Sequence, residues 1–73
     1  MSPGEAIQRT MIKLRMNQRE LARAVGISES YLSELKQNSK IPGVHVALKL
    51  SHISGLPVEK FIAETEDEAE VIE

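Results

Sequence analysis

The chain has 73 residues, with nine Lys and Arg, eleven Asp and Glu, and no cysteine. That length leaves room for a single domain, and the missing thiols exclude both a disulfide framework and a thiolate metal site. No apolar run approaches the ~20 residues a bilayer-spanning helix needs, and the start lacks the basic-then-apolar layout of a signal peptide, so a cytoplasmic protein without membrane contact is expected.

The net charge of −2 conceals an asymmetry. Six acids fall in the last ten residues: Glu64, Glu66, Asp67, Glu68, Glu70 and Glu73. Residues 1–63 hold all nine cations against five acids, a net of +4. The expected organisation is a mildly basic domain over 1–63 and an acidic tail over 64–73. The tail reads as a solvated end, or as a handle for a partner or for the domain's own basic surface. His45 and His52 lie seven apart, close enough to share a helix face, but two ligands make a poor metal site. Neither a metal nor a cofactor is expected.

Helical periodicity recurs from end to end, and no stretch alternates as a strand would. The first helix is predicted over about Gly4 to Leu14. Ser2 is its cap, Pro3 lies in its first turn, and Glu5 stands at the capping-box spacing. Ile7, Met11 and Leu14 form its inward stripe. Arg9 and Lys13 face solvent or an anion. Asn17 caps the second helix, with Glu20 three residues on. Its stripe is Leu21, Ala22 and Val25, and Gly26 ends it where a left-handed backbone suits glycine. Ile27 plugs inward from the turn. Ser28 caps a third helix, whose Leu32 and Leu35 point to the core and which stops at Asn38. Pro42 and Gly43 mark a loop. A fourth helix presents Val44, Ala47, Leu48 and Ser51, widened by Leu50 and Ile53, and ends at Gly55. Pro57 opens a short fifth helix in which Val58, Phe61 and Ile62 close the core. The predicted fold class is therefore all-α, a compact five-helix domain.

The stretch from Asn17 to Leu35 is the most specific. Two short amphipathic helices are joined through Gly26, Ile27 and Ser28 alone. So tight a joint forces a steep crossing rather than an antiparallel pair. Ala22 falls where the two helices come closest. Leu21, Val25, Ile27, Leu32 and Leu35 are spaced to meet beneath the crossing. This is the pattern of a helix-turn-helix, which pushes its second helix into a DNA groove.

From about Ile7 to Ile62 the chain resembles the Cro/phage-repressor (Xre-type) helix-turn-helix family. "MNQRELARAVGISESYLSELKQNSKIPG" is similar to that family's second helix, turn, third helix and following loop, and "VHVALKLSHISGLPVEKFI" to its last two helices. The resemblance implies a transcriptional regulator, in the repressor sense, that binds a palindromic double-stranded DNA operator as a homodimer. It places a recognition helix of about 29–37 in the major groove, with Gln18, Glu29, Ser30, Ser33 and Glu34 toward the bases. It places Asn17, Arg19, Tyr31, Gln37, Asn38, Ser39 and Lys40 toward the DNA backbone, and Arg9 and Lys13 as weaker phosphate ligands. Serine hydroxyls donate to or accept from several base edges, and a carboxylate accepts from cytosine N4. Many relatives carry Arg or Gln where this chain carries Glu29 and Glu34. The plainer readings stay open: Glu29 compensates the helix dipole, and Glu34 is a solvated helix residue. Family dimers meet through their last two helices, which makes Leu56, Val58, Phe61 and Ile62 the surface to consider, with Val58 and Phe61 also suited to the monomer core.

Two other functions stand beside the operator-binding one. One is an antitoxin-type autoregulator, whose protein partner is a toxin; an antirepressor is the equivalent partner of a phage repressor. The other is a protein–protein module with weak or no DNA affinity. An enzyme is not expected: nothing in the spacing brings Ser33 to His45 or His52, and so small a domain has little room for a water-excluding pocket.

Overall fold

The computed structural model describes residues 2–62, and the acidic tail predicted over 64–73 lies outside the described residues. Four helices follow one another: α1 (Pro3–Leu14), α2 (Gln18–Val25), α3 (Glu29–Lys36) and α4 (Val44–Ser54). Among the described residues a single 3₁₀ turn, Val58–Phe61, comes last. The all-α class agrees with the sequence reading, whereas the count of five helices does not. Pro57 sets an extended entry with no side-chain cap, and after only four residues the backbone at Ile62 is extended again. One turn is too short to propagate as an α-helix.

Local chemistry accounts for the helix ends. Ser2 accepts a hydrogen bond from the Glu5 N–H at 3.1 Å, and the Glu5 carboxylate accepts from the Ser2 N–H, completing a capping box. Asn17 and Glu20 repeat the device at α2, both bonds at 2.8 Å. Ser28 caps α3 by accepting from the Tyr31 N–H. Gly26 ends α2 with φ +85°, a left-handed conformation that costs glycine nothing sterically. Lysines reinforce this end and close that of α4. Lys49 donates to the Val25 carbonyl and Lys13 to the Ser54 carbonyl, each a cation at a helix C-terminus.

The core unites all five elements. Ala6 and Ile7 of α1, Leu21, Ala22 and Val25 of α2, Leu32 and Leu35 of α3, Ala47 and Leu50 of α4, and Phe61 are buried together. Thr10 is also buried, and its hydroxyl donates to the Ala6 carbonyl at 2.8 Å, so no polar group is stranded there. Ile27 packs against this cluster from the turn.

α4 turns inward only part of the face predicted, its Ala47, Leu50 and Ile53 side. Val44 and Leu48 are 74% and 51% exposed, while Ala47, Leu50 and Ser54 are buried. Apolar residues occupy both stripes of this helix, so periodicity alone does not select one. The choice falls to the face that meets α1, α2 and the 3₁₀ turn.

α1 and α3 approach each other closely at Gly4. A Cβ built there would lie 2.8 Å from the Lys36 carbonyl carbon and 2.9 Å from the Leu35 oxygen, both main-chain atoms. The contact is fastened by Asn38, which sits in the left-handed region at φ +63° just past α3. Its Oδ1 accepts from the Gly4 N–H at 3.0 Å, and its Nδ2 donates to Ser2 Oγ at 3.1 Å. The start of α1 is thus capped from within by Ser2 and from across the domain by Asn38.

Candidate nucleic-acid interface

α3 presents Leu32 and Leu35 to the core. With about 100° per residue, the opposite arc carries, in order around the helix, Lys36, Glu29, Ser33, Gln37, Ser30 and Glu34. Glu29, Ser30 and Gln37 are exposed; Ser33, Glu34 and Lys36 are half-buried. Gln37 Nε2 donates to Ser33 Oγ at 3.3 Å, which links two polar groups along the arc. Tyr31 is half-buried and packs against the core, so only part of its ring faces outward.

The start of α2 lies beside this arc. Gln18 Nε2 donates to the Glu29 carbonyl at 3.2 Å, and Lys36 Nζ donates to Gln18 Oε1 at 3.0 Å. One glutamine side chain in the first turn of α2 therefore holds the first residue of α3 and the tip of the Lys36 side chain from its last turn. Arg19 stands 4.0 Å from the Glu29 carboxylate, on the same edge. On the other edge Lys40 lies 3.5 Å from the Glu34 carboxylate. The chain folds back there because the Ser39 N–H donates to the Glu34 carbonyl at 2.9 Å. Both ion pairs are well exposed and each contributes roughly 0–1 kcal/mol.

The structure thus brings Gln18, Arg19, Glu29, Ser30, Ser33, Glu34, Gln37, Ser39 and Lys40 onto one surface, with Asn17 at its edge. Asn17 spends its side-chain oxygen on the α2 cap and keeps its amide nitrogen for other partners. Asn38 is the residue drawn away, since both ends of its amide are occupied by α1. Lys13 is likewise committed elsewhere, to the C-terminus of α4. Lys36 was missed in the sequence. Its signal was present, because Glu29, Ser33 and Lys36 are related as i, i+4 and i+7 on one helix face. His45 and His52 are exposed on α4, and no group of His, Asp and Glu among the described residues is arranged to hold a metal ion.

Two short helices joined by a three-residue turn, the second with a polar face on the side away from the core, define a helix-turn-helix domain. Residues 7–61 match the model of the helix-turn-helix family, and the chain belongs to that family in its Xre/Cro type. It is a family of DNA-binding regulators rather than of enzymes. No curated protein and no solved structure matches the chain. No helix among the described residues is long and apolar enough to cross a membrane.

Proposed function

We propose that this domain is a sequence-specific transcriptional repressor that lays α3 in the major groove of a palindromic operator and binds as a homodimer. Carrying the reading is the polar arc of α3, held at a fixed angle to α2 by the Gly26 turn and the Gln18 bridge. In this reading Glu29, Ser30, Ser33 and Glu34 address base edges, and Gln18 does so only by giving up its bonds to the Glu29 carbonyl and Lys36. Asn17, Arg19, Tyr31, Gln37, Ser39 and Lys40, with Lys36 added, address the backbone, where contacts fix register rather than sequence. Asn38 acts indirectly, by holding the end of α3 against α1.

An apolar surface supports the dimer. Val44, Leu48 and Ile62 are exposed around a shallow cavity of about 280 Å³, floored by Ala47 and Val58, and Ile41 is exposed nearby in sequence. A second copy of the same patch would cover it by two-fold symmetry. Phe61 belongs to the core and takes no part.

Selection of bound duplexes from a random pool, at low and at physiological salt, tests the proposal. A palindromic consensus supports it, and no enrichment at either salt refutes it. One observation favours a second reading, a protein–protein module or antitoxin: both carboxylates of α3 face outward and occupy nearby cations. The interaction module predicts no salt-sensitive DNA binding, whereas an antitoxin-type autoregulator still binds its own operator.

A further inference from the structure

The two carboxylates of α3 lie toward opposite sides of its polar arc. Glu29 and Glu34 stand about 140° apart around the helix, Glu34 at one edge of the arc and Glu29 beside Lys36 at the other. Ser30, Ser33 and Gln37 lie between them. Outside each carboxylate is a cation: Arg19 beyond Glu29 and Lys40 beyond Glu34. The order across the surface is therefore cation, carboxylate, neutral polar centre, carboxylate, cation.

A major groove presents phosphates along both walls and base edges on its floor. The outer cations meet the walls, and they must leave their carboxylates to do so. Each carboxylate is then a desolvated anion beside phosphate, which is costly unless it finds a donor. The groove floor offers donors only as the amino groups of cytosine and adenine. Adenine sets the N7 acceptor beside its amino group, which repels a carboxylate, whereas cytosine presents N4 without that neighbour.

We propose that Glu29 and Glu34 are the specificity-determining residues of this domain. Each requires a cytosine within the half-site and penalises every groove that lacks one. The inference rests on the reading of α3 as the DNA-binding helix. It makes discrimination, not affinity, the purpose of two residues whose charge opposes binding. On generic DNA the same carboxylates compete with phosphate for Arg19 and Lys40, so non-specific binding is suppressed.

The test uses the full chain and its Glu29→Gln, Glu34→Gln and doubly substituted forms. Glutamine keeps the shape and removes the charge, and circular dichroism verifies the fold. Each protein is titrated against the duplex selected by the wild type, against that duplex with each cytosine replaced, and against a generic duplex over a range of salt. The expected wild-type site has two cytosine requirements per half-site. Each single variant loses about tenfold or more in discrimination at one of them and keeps the other. On the generic duplex the double variant binds more tightly, and its log K falls more steeply with log salt, by up to about 0.9 per cation released to phosphate. Wild-type binding whose base preferences survive both substitutions overturns the inference and leaves the DNA-binding reading standing. Absence of binding by every form, on every duplex and at low salt, overturns both.

Discussion

Replacing Gly4 by alanine tests the close approach of α1 to the end of α3. The added methyl group would meet the Lys36 carbonyl group and the Leu35 oxygen, main-chain atoms that cannot swing aside as the end of a flexible side chain would. Overpacking of this kind costs roughly 1–3 kcal/mol. Moving α1 away from α3 also stretches the Gly4 N–H bond to Asn38, worth about 1 kcal/mol. Against these, alanine favours a helix over glycine by up to about 1 kcal/mol. The balance is a loss of about 2 kcal/mol. For a domain of this size that lowers Tm by about 8–16 °C, at 4–8 °C per kcal/mol. Gly43→Ala is the control for a methyl group without a clash, because nothing lies within 4 Å of it and φ is −72°; since Gly43 is the N-cap of α4, the variant is expected to lose no more than about 1 kcal/mol. Thermal melts followed by circular dichroism at 222 nm compare the two. Equal Tm values for Gly4→Ala and wild type would refute the idea that contact between α1 and the end of α3 limits this position.

Arg15 ends α1 in the left-handed region at φ 55° and ψ 44°, strained for any residue with a Cβ. Arg15→Gly is expected to raise stability by up to about 1 kcal/mol, read as a higher denaturant midpoint at unchanged m. Asn38→Ala removes two hydrogen bonds and keeps a left-handed φ, for an expected loss of about 2–3 kcal/mol. Asn38→Gly relieves the backbone but not the lost bonds and should fall between the two; a glycine variant no better than alanine would show that φ is not part of the cost. Leu48→Glu places a charge in the exposed apolar patch. Sedimentation should show a monomer with an unchanged fold, and a dimer that survives it would place the subunit interface elsewhere.

Much of this molecule is settled by adjacent residues. The capping boxes at Ser2 and Asn17, the Ser28 cap and the Gly26 turn are bonds between groups three or four residues apart, so spacing in the sequence was enough to locate them. The inward pair Leu32 and Leu35 followed in the same way, and with it the outward arc of α3, since a helix of fixed pitch has only one opposite side. The tertiary structure alone decided what depends on distant partners. α4 carries apolar residues on two stripes, and only its packing chose Ala47 and Leu50 over Val44 and Leu48. The last described element is one 3₁₀ turn between the extended residues Pro57 and Ile62, and Phe61 reaches the core within it. Asn38 was legible as a helix stop, but its grip on Gly4 spans 34 positions of chain, and no local pattern encodes that. The pairing of Arg19 with Glu29 and of Lys40 with Glu34 likewise arose only when the turn and the loop brought those side chains to the edges of one helix.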